Sequence, residues 1–274
     1  MFQTHRIASL DLPELEPYRT LKRPLAHRER GIFVAEGDKV VHRLLTSKLE
    51  IVSVLLSEQR LPEFEPALCN RTETFSVYLA TDRRVLEELV GFEMFQGVLA
   101  VARTPPPLAL AALLDATVSP RLFVAADGLT NAENIGLLAR NCAAFGVQAL
   151  IVGETCASPF LRRAVRNSMG TIFNLPVIES GSLALSLGEL KTRGVRCIAA
   201  HPHTDKRTLS QADFTKDSCI VFGAEGGGVS RIVLAACDEA VAIPMASHVD
   251  SLNVTGAAAV FLYEAQQQRN SRPA

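Results

Sequence analysis

The sequence has no excess of either charge and no long apolar run. Its 274 residues carry 28 lysines and arginines against 29 aspartates and glutamates, a formal net charge of −1. This balance excludes a chain that is basic throughout, although it permits local basic patches. No run of about 18 uninterrupted apolar residues is present, so we expect no membrane-spanning helix. The N-terminal segment also lacks an apolar core of signal-peptide length, and we expect a cytoplasmic protein.

Several sequence signatures of known site types are missing as well. The six cysteines form no CxxC pair and most lie in apolar runs, which favours buried reduced thiols over a disulfide framework or a zinc site. The 17 glycines and 14 prolines follow no period, which excludes a collagen-like chain. No GxGxxG, GxxxxGK[ST] or GxSxG motif follows a strand, which argues against a dinucleotide-dependent oxidoreductase, a P-loop protein and an α/β hydrolase.

A proline-rich segment divides the chain into two parts of different texture. Three consecutive prolines at 105–107 stiffen the start of that segment as an extended spacer. We therefore expect an N-terminal domain over 1–102, a linker over 103–120 and a C-terminal domain over 121–274.

The N-terminal part alternates short strands with helices and predicts a small α/β domain. Strand-like segments occur at 31–37, 51–57 and 97–102, and a helical pattern follows the first at 38–47. A dense basic run lies in this part and is either a solvated helix face or a surface that contacts phosphates. It comprises Arg19, Lys22, Arg23, His27, Arg28 and Arg30.

The C-terminal part repeats a strand–helix unit and predicts an open parallel α/β sheet. Its strand candidates are mostly continuous apolar runs, as in parallel strands that are covered on both faces. The candidates are 121–127, 147–153, 195–200, 219–223 and 240–244, with helical patterns at 134–145, 159–169, 182–193, 229–236 and 252–268. Because ligands of such sheets bind beyond the carboxyl ends of the strands, the loops that follow them are where we expect a site.

Three of these loops carry polar residues whose presence is not fully explained by a structural role such as helix capping. In DGLTNAENIGLLARNCAAFG, at 127–146, Asn134 is expected to cap a helix and Arg140 to point away from the apolar stripe. Glu225 lies in FGAEGGGVS, where glycines permit close approach to the backbone. Ser251 and Asn253 open the last helix. For each residue alone, helix capping or an ordinary exposed position remains an alternative.

A fourth segment, SPFLRRAVRNSMG, concentrates arginines on one helical turn. Arg162 and Arg166 are four residues apart, and like charges at that spacing repel unless an anion neutralises them. Together with Arg163 they favour contact with nucleic-acid phosphates, because the guanidinium group suits bidentate phosphate binding. A solvated helix face is the alternative.

Taken together, the three polar loops resemble the motifs of the SpoU (TrmH-like) family of the SPOUT-class RNA 2′-O-ribose methyltransferases. NAENIGLLARNCAAFG matches the first motif with Asn134 and Arg140, FGAEGGGVS the second with Glu225, and IPMASHVDSLNVTGAAAVFLYE the third with Ser251 and Asn253. The segment at 17–102 is similar to the RNA-binding domain, related to a ribosomal-protein fold, that often precedes the catalytic one. Glu133 and Thr255 depart from the family pattern, where Gly and Ser are common; neither carries the chemistry.

The resemblance implies properties that spacing does not show. It implies a deep trefoil knot in the C-terminal sheet, a homodimer, and S-adenosylmethionine bound in the knot against the backbone of Gly223, Ile243 and Leu252. It also implies that Asn134, Arg140, Glu225, Ser251 and Asn253 are catalytic, with no metal required. His201 and His203, with Asp205, are interpreted as a loop at the cofactor's edge.

The implied reaction is methylation of a ribose 2′-hydroxyl in structured RNA, and we expect ribosomal RNA. A transfer-RNA 2′-O-methyltransferase and a catalytically inactive RNA-binding member of the same fold are the alternatives. RNA contacts are expected at Arg23 and Arg28 and at the three arginines of 162–166. Because an arginine is essentially always protonated, we expect Arg140 to hold a substrate phosphate and stabilise the forming alkoxide, not to act as a simple base.

Overall fold

The computed structural model describes residues 1–90, 97–204 and 207–271. The chain forms two compact units, one of Met1–Pro106 with Phe160–Asn174 and one of Pro107–Pro159 with Leu175–Ala274. Among the described residues, no helix combines the length and the apolar character needed to cross a bilayer.

The first unit contains a five-stranded mixed sheet with short helices. Its strands β1 to β5 and helices α1 to α5 are β1 (Phe2–Ile7), α1 (Glu16–Arg19), α2 (Pro24–Glu29), β2 (Ile32–Glu36), α3 (Asp38–Leu45), β3 (Ile51–Ser57), α4 (Leu61–Cys69), β4 (Phe75–Ala80), α5 (Arg83–Val90) and β5 (Val98–Arg103). The strand order is β1-β4-β3-β5-β2. Strands β1 and β3 run parallel to β4, and β5 runs antiparallel to β2 and β3. The predicted α/β character is confirmed, while β1 and β4 lay outside the predicted elements.

After the three prolines, strands and helices alternate along the chain, as the apolar runs predicted. They are α6 (Leu110–Ala116), β6 (Leu122–Ala126), α7 (Ala132–Ala144), β7 (Ala149–Val152), α8 (Arg162–Asn167), β8 (Val177–Glu179), α9 (Leu183–Thr192), β9 (Arg196–Ala200), β10 (Ser218–Phe222), α10 (Arg231–Ala236), β11 (Glu239–Val241) and α11 (Val254–Asn270). The second unit has six strands in the order β11-β9-β10-β6-β7-β8, and every recorded pairing is parallel. The predicted parallel α/β sheet is confirmed. Strand β8 lay outside the predicted elements.

The expected linker at 103–120 is too long. The prolines are extended as expected, but α6 follows them directly. Leu110, Leu113 and Leu114 of α6 are buried in the core of the second unit, beside Phe123 of β6. Burial of three leucines stabilises the fold by several kcal/mol, so this segment is part of the second unit.

The segment around α8 is compact with the first unit, whereas the sequence placed it in a domain over 121–274. The ring of Phe33 in β2 lies 5.4 Å from that of Phe160 and 5.7 Å from that of Phe173. Arg162 forms an ion pair with Glu36 at the end of β2. Such partners, more than a hundred residues apart, leave no trace in local periodicity.

Helix α11 closes the second unit against the beginning of that unit. It packs on α7, and the Phe261 ring lies edge-on to the ring of Phe222, 5.7 Å away. Near its end, the guanidinium of Arg269 donates hydrogen bonds to the backbone oxygens of Pro120, Arg121 and Phe214. The start of α11 lies beside the carboxyl ends of β10 and β11.

No disulfide bond links the six cysteines, all of which lie in the described part of the chain. All six are free thiols, and three of them, Cys142, Cys197 and Cys219, are buried. Burial also raises the pKa of Cys237 to about 12, so this thiol stays protonated and unreactive near neutral pH.

Candidate functional site

A cavity of about 380 Å³ lies beyond the carboxyl ends of β9, β10 and β11, at the start of α11. This is the edge of the sheet where the sequence analysis expected a site, and the volume is typical of small-molecule pockets. The wall is partly apolar, with Phe222, Val241 and Phe261. The three residues expected at the cofactor, which are Gly223, Ile243 and Leu252, all line it.

The glycine-rich loop after β10 forms one side of this cavity and is tightly folded. The N–H of Ala224 donates to the oxygen of Gly228 at 3.0 Å, and the N–H of Gly228 donates back at 2.9 Å. A Cβ atom on Gly223 would lie 2.0 Å from the carbonyl carbon of Gly228. No side chain fits at position 223, and the backbone itself is therefore the surface that faces the cavity.

A buried carboxylate holds the far end of the same loop. Asp127, which ends β6, accepts a hydrogen bond from the N–H of Ser230 at 2.7 Å, and its own N–H donates to the oxygen of Phe222 at 2.8 Å. From the sequence, Asp127 is only the last residue of a strand candidate. The signal that could have identified it was an acidic residue at the end of a buried strand beside the predicted site.

Glu225 joins the first and third sequence motifs. Its Oε1 accepts a hydrogen bond from Nδ2 of Asn134 in α7 at 3.1 Å, and another from Nδ2 of Asn253. Asn253 caps α11, because its Oδ1 accepts from the N–H of Thr255 at 2.9 Å and from the Thr255 hydroxyl. One carboxylate therefore links the starts of two helices at the cavity wall.

The expected cap of α7 is wrong. Asn131 is the N-cap, and its Oδ1 accepts from the N–H of Glu133 at 2.9 Å. Asn134 lies inside the first turn, where only 7% of its surface is exposed. Its amide can reach Glu225 because it is not used to cap the helix.

Arg140 and Ser251 stand apart from this hydrogen-bonded group. Arg140 lies on α7 and is exposed, as predicted. Within the described part of the chain its guanidinium makes no hydrogen bond or ion pair. Ser251 is exposed and lines the cavity next to Leu252. Three of the five expected catalytic residues are thus in direct contact, and two are not.

Two of the expected phosphate-binding arginines have a protein partner in the first unit. Glu36 pairs with Arg162, and it lies 3.6 Å from Nη1 of Arg166. The anion that the spacing of these arginines required is therefore a carboxylate of the same chain. Arg23 and Arg28 are exposed around α2.

The two histidines of the loop after β9 also reach the cavity. His201 and His203 line it, and their rings lie edge-on at 6.0 Å. Asp205, the third member of the expected group, lies outside the described residues. Over the ranges 1–90, 97–204 and 207–271, no three His, Cys, Asp or Glu side chains are arranged to hold a metal ion.

The chain matches one family model and is similar to several known proteins. The model, described as the SpoU rRNA Methylase family, matches residues 121–263. An uncharacterized tRNA/rRNA methyltransferase of Mycobacterium bovis is 33% identical over 261 residues, which are 93% of this chain and 88% of that protein. The 23S rRNA (guanosine-2′-O-)-methyltransferase RlmB of Ralstonia nicotianae is 35% identical over 197 residues, 72% of this chain and 79% of that protein.

Solved structures show the same similarity. The SpoU methyltransferase AviRb from Streptomyces viridochromogenes, in complex with AdoMet, is 25% identical. It superposes with a TM-score of 0.82 over 95% of this chain and all of that one. The resemblance that the sequence motifs indicated is thereby confirmed over nearly the whole chain.

Proposed function

Because this chain belongs to the SpoU rRNA methylase family, we propose that it transfers a methyl group from S-adenosylmethionine to a ribose 2′-hydroxyl of RNA. The observation that carries this proposal is the meeting of Asn134, Glu225 and Asn253 at the cavity. These residues come from three separate segments of the chain, and Glu225 and Asn253 line the cavity directly.

The cavity fits the cofactor. The exposed backbone at Gly223, together with Ile243 and Leu252, offers peptide groups for the polar edge of an adenine, and the apolar wall at Phe222 and Phe261 suits its ring. Among the described residues, Glu225 is the one carboxylate on this wall and no lysine or arginine lines it. A wall with this charge favours a cationic ligand. The cofactor, when bound, supplies an electrophilic methyl group on a positively charged sulfur.

Arg140 is the proposed catalytic residue for the nucleophile. A ribose hydroxyl is a weak nucleophile until its developing negative charge is stabilised. The exposed guanidinium of Arg140 holds a substrate phosphate and stabilises that charge, while a phosphate oxygen takes the hydroxyl proton. Asn134, Glu225, Ser251 and Asn253 orient the nucleotide and keep α7 and α11 in register.

The first unit is the proposed RNA-binding domain, and its fold is proposed to be related to that of a ribosomal protein. Arg23 and Arg28 around α2 are its main phosphate contacts. Arg163 adds a further exposed charge on α8. Arg162 and Arg166 contribute less to RNA binding, because Glu36 already neutralises part of their charge.

We also propose that the enzyme is a homodimer with a deep trefoil knot around the cofactor. Helix α11 exposes Val260 and Tyr263, and a second copy of the chain would remove these apolar side chains from water. The return of α11 onto α7 and onto the residues before β6 supports a knotted C-terminal segment.

Ribosomal RNA is the proposed substrate, since the RlmB relatives act on 23S rRNA by their names, and a cytoplasmic location follows from it. Transfer RNA is the second candidate, since other relatives are named tRNA/rRNA methyltransferases. Mapping of 2′-O-methyl groups in RNA from cells with and without the gene tests the choice. Absence of one ribosomal 2′-O-methyl group from cells without the gene supports ribosomal RNA as the substrate. Absence of a 2′-O-methyl group from a transfer RNA would show that transfer RNA is the substrate instead.

A further inference from the structure

His201 is held at the cavity wall by its backbone. It directly follows β9, and its N–H donates to the oxygen of Val241 in β11 at 3.0 Å. The ring faces the glycine-rich loop, with Nδ1 3.9 Å from the position that a Cβ atom on Gly228 would take. The imidazole is thus placed by two neighbouring strands and lines the cavity directly.

The imidazole of His201 has no hydrogen-bond partner for Nδ1. This atom is buried and makes no hydrogen bond to any described residue. The neighbouring ring of His203 lies edge-on at 6.0 Å and supplies an aromatic contact only. A buried polar atom without a partner is unfavourable and uncommon in native proteins, and each case calls for an explanation.

The other polar side chains of the wall are few and partly engaged. Asn253 donates its amide to Glu225 and uses its oxygen to cap α11. Of the remaining hydrogen-bonding side chains on the wall, Ser251 and His203 are exposed to solvent. Of the wall residues that the structure describes, His201 is therefore the partly buried one with a polar atom left unsatisfied by the protein.

We propose that His201 is a cofactor-binding side chain, whose imidazole hydrogen-bonds S-adenosylmethionine in this cavity. The inference rests on the proposed function, because it takes the ligand from there. A turn of the His201 side chain presents a ring nitrogen to the cavity, where the bound cofactor supplies the partner that Nδ1 lacks in the unliganded chain. The contact adds affinity for the cofactor independently of RNA.

The test measures cofactor binding without RNA. Isothermal titration with S-adenosylmethionine and S-adenosylhomocysteine compares the wild-type chain with His201→Phe, which keeps an aromatic ring and removes both nitrogens. We expect binding to weaken about tenfold, as for the loss of one hydrogen bond. His201→Asn, whose amide reaches the position of Nδ1, should recover part of that loss. His5→Phe, an exposed histidine of the first unit, should bind as the wild type does.

A second measurement follows the ring itself. The imidazole ¹⁵N resonances of His201 should shift when S-adenosylhomocysteine is added to the wild-type chain. Unchanged affinity of His201→Phe, or unmoved resonances in a chain that binds the cofactor, would overturn the role of His201 alone. Failure of the wild-type chain to bind either ligand would overturn the proposed function as well. Equal melting temperatures of the unliganded variants establish that they are folded.

Discussion

The buried amide of Asn134 donates a hydrogen bond to Glu225, 91 positions further along the chain. This contact joins the helix of the first motif to the glycine-rich loop of the second. Asn253 donates to the same carboxylate oxygen and adds the third. The family resemblance thus corresponds to a physical assembly, in which Glu225 is the shared acceptor.

Replacement of Glu225 by alanine should lower single-turnover methyl transfer about a hundredfold, the scale of losing one preorganised polar group. The physical reason is that the Asn134 and Asn253 amides lose their common acceptor. A double-mutant cycle with Asn134→Ala measures the coupling directly. Strictly additive effects on the transfer rate would show that the two residues act separately.

Substitution of Gly223 by alanine should abolish cofactor binding and lower the melting temperature. The added Cβ would meet the backbone of Gly228 at 2.0 Å, and backbone displacement of this kind costs about 1–3 kcal/mol. Gly227→Ala is the matched control, because no atom lies within 4 Å of a Cβ at that position. Calorimetric titration with S-adenosylhomocysteine should separate the two variants, and equal binding would refute the tight-loop account.

Replacement of Arg140 by alanine should slow single-turnover methyl transfer by about a hundredfold or more while cofactor affinity stays unchanged. The guanidinium is exposed on α7, so its loss leaves the fold intact. Arg231→Ala, an exposed arginine of α10, removes the same charge and should have little effect. Near-wild-type transfer by Arg140→Ala, with unchanged RNA affinity, would exclude the proposed role.

Tyr263→Glu should dissociate the proposed homodimer, because it places a charge on an apolar side chain that is 55% exposed on α11. Light scattering after size-exclusion chromatography gives the mass. Leu185→Glu is the control, since Leu185 is 77% exposed on α9, away from the proposed interface. A wild-type chain that is monomeric at micromolar concentration contradicts this proposal.

RNA affinity should fall as salt rises, and the double variant Arg23→Ala/Arg28→Ala should reduce the slope of log K against log salt by about 2. Arg162→Ala should instead lower the free energy of unfolding by about 1–3 kcal/mol, because it leaves the Glu36 carboxylate without its closest cation. Filter binding at several salt concentrations measures the change in slope, and chemical denaturation measures the change in the free energy of unfolding. A salt-independent affinity would mean that the patches do not contact phosphates.

The strands of the parallel sheet could be predicted because covered parallel strands are continuous apolar runs. Five of its six strands overlap a predicted segment, and β8 does not. The exposure of Arg140 also followed from helical spacing. Helix α6 could not be recognised in the same way, since its leucines follow three prolines in a segment whose composition suggested a spacer.

The pairing of site residues could not be derived from local pattern. By residue type, both Asn131 and Asn134 are suitable helix caps. In the structure Asn131 caps α7, and Asn134 donates a hydrogen bond to Glu225 instead. The partner of Arg162 is Glu36, 126 positions away. Motifs therefore predicted which residues to expect at the site, while contacts between distant segments determine how those residues are arranged.

The most direct test of the central claim incubates the purified chain with ribosomal RNA and S-adenosylmethionine labelled in its methyl group, and then hydrolyses the RNA with alkali. A 2′-O-methyl group blocks cleavage at its own nucleotide, so the label should appear in alkali-stable dinucleotides. Arg140→Ala should slow the appearance of this label about a hundredfold or more. Label in mononucleotides, or no incorporation by a chain that binds the cofactor, would contradict methylation of a ribose 2′-hydroxyl in that RNA.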